Sequence, residues 1–194
     1  MNIKNKKTYD YYGDSKDIFC ILKDYDWPVY LCSNYKNFKN QRYDIITCSP
    51  IEKVYAHDEK TIVDSNGSMK EYDDDPMNVL ADMMKKHQSD IMDLPFAGGA
   101  IGYMSYDLGN KYEGIEYKNK DLDMPLMAFG IYNWAIIVDH LKKNTILLYE
   151  DENKLINTIK ECLKKKSFVK YNPNSYSVDS SCISNLTYNE YEKK

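Results

Sequence analysis

The sequence reads as an α+β chain, on three observations. Short apolar or alternating runs are separated by hairpin-sized turn signals at Asp58-Glu59, Asn66-Gly67 and Lys142-Lys143-Asn144. Helical spacing with cap chemistry appears elsewhere, after Ser15, after Asp75-Pro76 and across Glu152–Lys165. One run, Leu126–His140, is apolar at odd and even positions alike, as a strand covered on both faces is.

In chain order, Ser15 followed by Asp17, Ile18, Phe19, Ile21 and Leu22 predicts a short capped helix, ended by Trp27-Pro28. Pro28–Ser33 reads as a strand and Asn34–Gln41 as a polar loop. Arg42–Ser49 alternates as a second strand, with Tyr43, Ile45 and Thr47 on one side and Asp44, Ile46 and Cys48 on the other. Ile51–His57 and Lys60–Asp64 form a hairpin pattern, and Asn66-Gly67 is a further turn. Asp73-Asp74-Asp75 precedes a helix start, with Asp75 as N-cap and Pro76 at the first helical position. Met77, Leu80, Met83, Met84 and His87 then recur at helical spacing, a core-facing stripe with His87 serving the helix end rather than a metal.

After a glycine-rich strand, Asn110–Asp123 reads as a polar loop. Leu126–His140 reads as one long central strand bent at Gly130, returned by Lys142-Lys143-Asn144 to its hairpin partner Thr145–Tyr149. Glu152–Lys165 is an amphipathic helix with Leu155, Ile156, Ile159 and Leu163 inward. From Ser167 to Ser184 the composition shifts to Ser, Asn, Tyr and Val, the signature of a linker or crossover. Thr187 and Glu190 form a capping box whose helix has about two turns before Lys194. That pattern leads us to expect that the natural protein continues.

At 194 residues and 43% hydrophobic the chain suits one domain with a sizeable core. A net charge of -4 without a basic block gives no electrostatic reason to bind nucleic acid or anionic membrane. The first residues lack the apolar stretch of a secretory signal, and no run approaches a membrane span of roughly 18 to 20 residues. Five widely spaced cysteines without CxxC read as reduced cytoplasmic thiols, mostly core fillers. Arg42 is the only arginine, which draws attention to it because lysine cannot supply the planar five-donor fork.

The most distinctive stretch is Pro95–Gly109, PFAGGAIGYMSYDLG. Gly98, Gly99 and Gly102 would weaken an ordinary strand and mark a bulge or a close approach of backbone or ligand. Gly98-Gly99-Ala100-Ile101-Gly102 is neither the G-x-G-x-x-G dinucleotide fingerprint nor a phosphate loop. His57, His87 and His140 lack metal-ligand spacing, and no serine sits in a nucleophile elbow. A self-contained enzyme is therefore poorly supported by the residues. A small-molecule binding module and a scaffold for a partner subunit stand as the other classes.

The glycine strand belongs to an ordered set. It includes Trp27-Pro28, Leu31-Cys32-Ser33, Arg42-Tyr43-Asp44-Ile45, the run Met124–Ala135, Val138-Asp139-His140, and Asn185-Leu186-Thr187 with Tyr191. In order and spacing the set resembles the amino-terminal region of component I of the chorismate-using amidotransferases, the aminodeoxychorismate and anthranilate synthases. The Gly-Ile-Tyr-Asn-Trp-Ala and Tyr-Asp-Leu-Gly runs look more like the aminodeoxychorismate branch.

The resemblance implies a largely antiparallel sheet with flanking helices over residues 1–166, a crossover at 167–184, and the start of a chorismate-binding domain at 185–194. It implies amination of chorismate to 4-amino-4-deoxychorismate by the full-length enzyme, with Mg²⁺ and with ammonia from a glutaminase subunit. It places no catalytic residue in this stretch. It also implies a tryptophan-type pocket at Leu31, Ser33, Arg42 and Tyr43, structural rather than inhibitory, because Cys32 stands where feedback enzymes carry a glutamate. A feedback domain of anthranilate synthase component I, or an amino-acid-binding or glutaminase-scaffold module, remain the other readings.

Overall fold

In the computed structural model the described residues are 3–33, 42–57, 60–87, 93–115, 124–172, 177–181, 183–184 and 186–192. The expected loop Asn34–Gln41, the turn Asp58-Glu59, most of the expected 110–123 loop, and Cys182 and Asn185 lie outside them. Among the described residues, ten strands form two five-stranded antiparallel sheets. This is the α+β, largely antiparallel architecture that the sequence predicts.

The long apolar run is the hinge of the architecture. Met127–Tyr132 (β8) lies in the second sheet and Trp134–Asp139 (β9) in the first, so one stretch of chain passes from sheet to sheet. It is buried along almost its whole length, as double-sided apolarity predicts. The break falls at Asn133 and not at Gly130. Gly130 stays in register with Lys53 and Ile101, and its missing side chain admits Pro50 and the Tyr132 ring, each 2.9 Å from where a Cβ would stand.

In the first sheet, β9 pairs with Asn144–Tyr149 (β10) and with Tyr43–Thr47 (β3). Asn5–Asp10 (β1) adds outside β10, and Val29–Leu31 (β2) outside β3. Helices Ser15–Leu22 (α1) and Lys154–Lys165 (α4) cover one face. Ile18, Leu22, Ile156, Ile159 and Leu163 meet Ile46, Ile136, Val138 and Leu147 there. The opposite face gathers Ile3, Ala97, Ala135, Ile137, Ile146 and Leu148, with Tyr43, Ile45 and Phe96 against them. Strand alternation dictates this split, since successive side chains of β3 and β9 point to opposite faces.

In the second sheet, Glu52–Ala56 (β4) pairs with Thr61–Ser65 (β5), which turns through Asn66-Gly67 into Ser68–Tyr72 (β6). Asn66 and Gly67 both have positive φ, 54° and 87°, as a two-residue hairpin turn requires. Pro76–Lys86 (α2) covers one face, its start capped as expected: Met77 N–H donates to Asp75 Oδ1 at 2.9 Å. Its buried stripe is Pro76, Val79, Leu80 and Met83, with Met77 37% exposed, one residue's rotation away from the sequence expectation. His87 ends α2 against the Glu52 carboxylate at 2.8 Å.

Gly99–Met104 (β7) pairs with β8 at the edge of the sheet, after which Tyr106–Glu113 forms a helix (α3) where a loop was expected from Asn110. Ser105 caps it through the Leu108 N–H at 3.2 Å. Residues at the start of the expected 167–184 crossover make contacts with the first sheet and α1. Phe168 packs on the first-sheet core, and Asp17 accepts from the Tyr171 N–H at 2.8 Å and the Lys170 ammonium at 2.9 Å. The capping box forms: the Thr187 N–H donates to Glu190 Oε2 at 2.8 Å, opening Tyr188–Glu192 (α5). Of the described cysteines only Cys48 is buried, and Cys32 is exposed, so the core-filler expectation holds for one of them.

Candidate functional site

The four residues implied by the resemblance lie at one end of the first sheet. Leu31 is the last residue of β2 and pairs with Ile45, so it shares the face of Ile45 and Tyr43; it is 46% exposed. Extending that register by two residues would set Ser33 level with Tyr43. Strict alternation would send Arg42 and Tyr43 to opposite faces. The conflict is removed because β3 begins at Tyr43 and Arg42 precedes it. The guanidinium folds over the Tyr43 ring, 4.5 Å from its centroid.

Arg42 is held by a partner 97 residues away along the chain. Asp139, directly across from Tyr43 in the register of β3 and β9, accepts from Arg42 Nε at 3.0 Å and Nη2 at 2.7 Å. This is the bidentate geometry that only arginine can make. Asp139 is 1% exposed and also accepts from the N–H groups of Leu141 and Lys142 at 3.0 and 2.9 Å. Burial works to raise its carboxyl pKa, but Arg42 and these two N–H groups outweigh it and hold the carboxyl below its usual range. Among the described residues the guanidinium places two of its five N–H groups on Asp139.

Ser33 is drawn the other way, toward Asp44 on the α1 face. Its N–H and hydroxyl lie 2.8 and 3.2 Å from Asp44 Oδ1. Asp44 also accepts from Ser15 and faces His140 Nε2 at 2.8 Å. Ser15, read from sequence as an N-cap, is thus the first residue of α1 and bonds to Asp44 and Tyr30, while Asp14 takes the cap position without a side-chain bond. Leu31, Arg42 and Tyr43 therefore share a face, and Ser33 joins them at the strand end with its hydroxyl turned to Asp44.

A concavity of about 390 Å³ lies on the face of the second sheet opposite α2, with Trp27, Val29, Tyr55, Tyr103 and Tyr132 among its lining residues. Trp27 has φ 43°, in the left-handed region, and its carbonyl accepts from the Tyr132 hydroxyl at 3.0 Å. Among the described residues no helix is long and apolar enough to cross a membrane. Nor do three His, Cys, Asp or Glu side chains among them converge as a set of metal ligands.

Comparison with known proteins bears directly on this architecture. Aminodeoxychorismate synthase component 1 of Escherichia coli K12 is 32% identical over 183 residues, covering 91% of this chain and 39% of that protein. The corresponding protein of Salmonella typhimurium is 33% identical over 138 residues, covering 69% of this chain and 30% of the relative. Anthranilate synthase component 1 of Acetivibrio thermocellus is 34% identical over 106 residues, or 53% of this chain and 22% of that protein. The crystal structure of anthranilate synthase component I from Streptococcus pneumoniae shares the fold, with a TM-score of 0.51, 23% identity, and coverage of 76% of this chain and 35% of that one. The chain thus spans well under half the length of each of these proteins. The family model described as chorismate binding enzyme matches residues 31–194, and the chain belongs to that family.

Proposed function

We propose that this chain is the amino-terminal region of an aminodeoxychorismate synthase component I. In the full-length enzyme an amino group from ammonia replaces the 4-hydroxyl of chorismate, which leaves as water, giving 4-amino-4-deoxychorismate for folate synthesis. A glutaminase subunit supplies the ammonia, and the reaction takes place in the cytoplasm. The observation that carries the reading is the 32% identity maintained over 183 residues with the Escherichia coli protein of that name. The anthranilate reading draws on the Acetivibrio thermocellus relative, 34% identical over 106 residues. Cys32 weighs against a feedback role, because a thiol offers no anionic partner to a ligand ammonium in the way a glutamate does.

The role of this region is to hold an aromatic amino acid such as tryptophan as a structural ligand. Leu31 and Tyr43 give apolar and aromatic walls, Arg42 presents N–H groups to a carboxylate, and Ser33 offers a short polar group. The Mg²⁺ requirement is placed in the full-length enzyme, and no step of this region is routed through it. Two measurements test the reading. The chain incubated with chorismate, Mg²⁺ and ammonia is expected to leave chorismate unconsumed, and turnover above a buffer control would overturn its assignment as a non-catalytic region. In the full-length protein Arg42→Leu is expected to abolish tryptophan binding by calorimetry while unfolding stays cooperative; unchanged affinity would remove Arg42 from the site.

A further inference from the structure

Asp44 is a buried carboxylate, 2% exposed, that gathers three separate elements. Ser15 reaches it from α1, His140 from the end of β9, and Ser33 from beyond β2. Behind it, His140 Nδ1 lies 2.9 Å from the Tyr11 hydroxyl, and the Lys143 ammonium sits 4.6 Å from the Tyr11 ring centroid. The Nε2 side of His140 faces the Asp44 carboxylate, which can only accept, so Nε2–H donates to Asp44. The guanidinium next along the strand is committed to Asp139 and not to Asp44. Burial disfavours the Asp44 charge, yet Ser15, the Ser33 N–H and His140 hold the carboxyl below its usual range, so it stays ionised.

This arrangement changes what Ser33 is. A serine hydroxyl has one proton and two acceptor sites. With its proton directed to Asp44 Oδ1 at 3.2 Å, the Ser33 oxygen can only accept from a ligand, and it does so backed by a negative charge. Ser33 lies two residues past Leu31, the last residue of β2, and Arg42 stacks on Tyr43 at the start of the neighbouring β3. The amino and carboxylate groups of an α-amino acid share one carbon, which suits an acceptor and a guanidinium at the same strand end.

We propose that Asp44 is a specificity-determining positioning residue that, through Ser33, makes this site select a ligand with a protonated amino group. It stands in for the carboxylate that Cys32 does not offer. The inference rests on the reading of Leu31, Ser33, Arg42 and Tyr43 as an amino-acid pocket.

Calorimetry of the whole chain with L-tryptophan and with indole-3-propionate, which lacks only the amino group, tests it. Wild type is expected to prefer tryptophan. Asp44→Asn keeps the shape, with the opposite His140 tautomer accepting from the new amide, and Ser33→Ala removes the intermediary outright. Both variants are expected to lose roughly tenfold of the preference for tryptophan, about one charge-assisted hydrogen bond, while affinity for indole-3-propionate holds within about twofold. A merely structural role would weaken both compounds together. Should Asp44→Asn fail to fold, Asp44→Ser, which leaves Ser33 in place and removes the charge behind it, decides instead. Variants that keep the full preference, or lose both compounds equally, or a wild type that binds both equally, overturn this inference and leave the pocket standing. A wild type that binds neither compound overturns the pocket reading itself.

Discussion

Gly102→Ala probes the reason the glycine strand is rich in glycine. A Cβ at Gly102 would stand 2.0 Å from the Ala128 carbonyl oxygen, 2.6 Å from Phe129 Cα and 2.8 Å from the Ala128 carbonyl carbon. All three are backbone atoms of β8, well over an ångström inside ordinary contact for the nearest. β8 cannot retreat, because its other edge is in register with β4 from Glu52 to Ala56. The movement must come from β7, an edge strand joined to β8 by six register pairs, Gly99–Tyr132 through Met104–Met127. Overpacking against side chains typically costs about 1–3 kcal/mol, and rigid backbone on the far side places this case at the upper end, about 3 kcal/mol. With a urea m-value of about 2 kcal/mol/M, the unfolding midpoint followed by far-ultraviolet circular dichroism should fall by about 1.5 M. Gly109→Ala is the internal control. Gly109 lies inside α3 with nothing within 4 Å of its Cβ position, and the substitution should stabilise by about 0.5–1 kcal/mol. A Gly102→Ala variant within about 0.5 kcal/mol of wild type would refute the close-approach account.

Acid should destabilise the protein through Asp44 and Asp139. Both carboxyls titrate below their ordinary values in the fold, so their contribution is complete above the unfolded value of about 4 and is lost as pH falls through the depressed folded values. Asp139→Asn should flatten that acid limb in denaturation curves collected from pH 7 downward; an unchanged limb would exclude the Arg42 pair as a contributor. Thiol labelling followed by peptide mapping should find Cys32 modified first among the described cysteines. Cys48, buried and with its thiol pushed up to about 11, should react only on unfolding, and early labelling of Cys48 would contradict its place in the core. Amide exchange should be slowest through Ile136–Val138 and Ile146–Leu148 and fast across Tyr188–Glu192, which has no buried residue. The Tyr171 amide should be protected in wild type and exposed in Asp17→Asn, which weakens the charged acceptor holding it.

What sequence could reveal follows the range of the interactions involved. The α2 start was legible because Asp75 caps Met77 two residues on, and the β5–β6 turn because Asn66-Gly67 carries its own backbone requirement. The doubly buried run was legible from apolarity alone. β1 was not, because Asn5–Asp10 is largely polar and becomes a strand only by pairing with β10, nearly 140 residues away. β6 reads as surface for the same reason, with Ser68–Glu71 all exposed. α3 was hidden by Gly109 in its middle; the cap at Ser105 was the available signal. At the candidate site, the singular Arg42 was visible, but its partner Asp139 lies 97 residues off and Asp44 gathers donors from Ser15, Ser33 and His140. No periodicity encodes such convergence, since it arises only once β3 and β9 are in register.

The glycine motif and the candidate site are physically joined through the segment that leads into β7. Phe96 and Ala97 pack on the first-sheet face that carries Tyr43 and Ile45, yet two residues later the chain is the edge of the second sheet. Gly98 and Gly99 make that transfer with φ of 89° and 126°, conformations that side chains rarely adopt. Gly99 also leaves room for Met84 of α2, whose methyl lies 3.2 Å from the Cβ position. The three glycines therefore divide the work: two swing the chain from the face of one sheet to the rim of the other, and Gly102 lets it settle against β8. A side chain at Gly98 or Gly99 would strain the lead-in held beside Tyr43, whereas one at Gly102 strains the far strand. Asn133 performs the same transfer for β8 and β9 without positive φ. The site at the end of β3 is thus placed by two crossings between the sheets, and the stretch that marks the sequence most strongly is one of them.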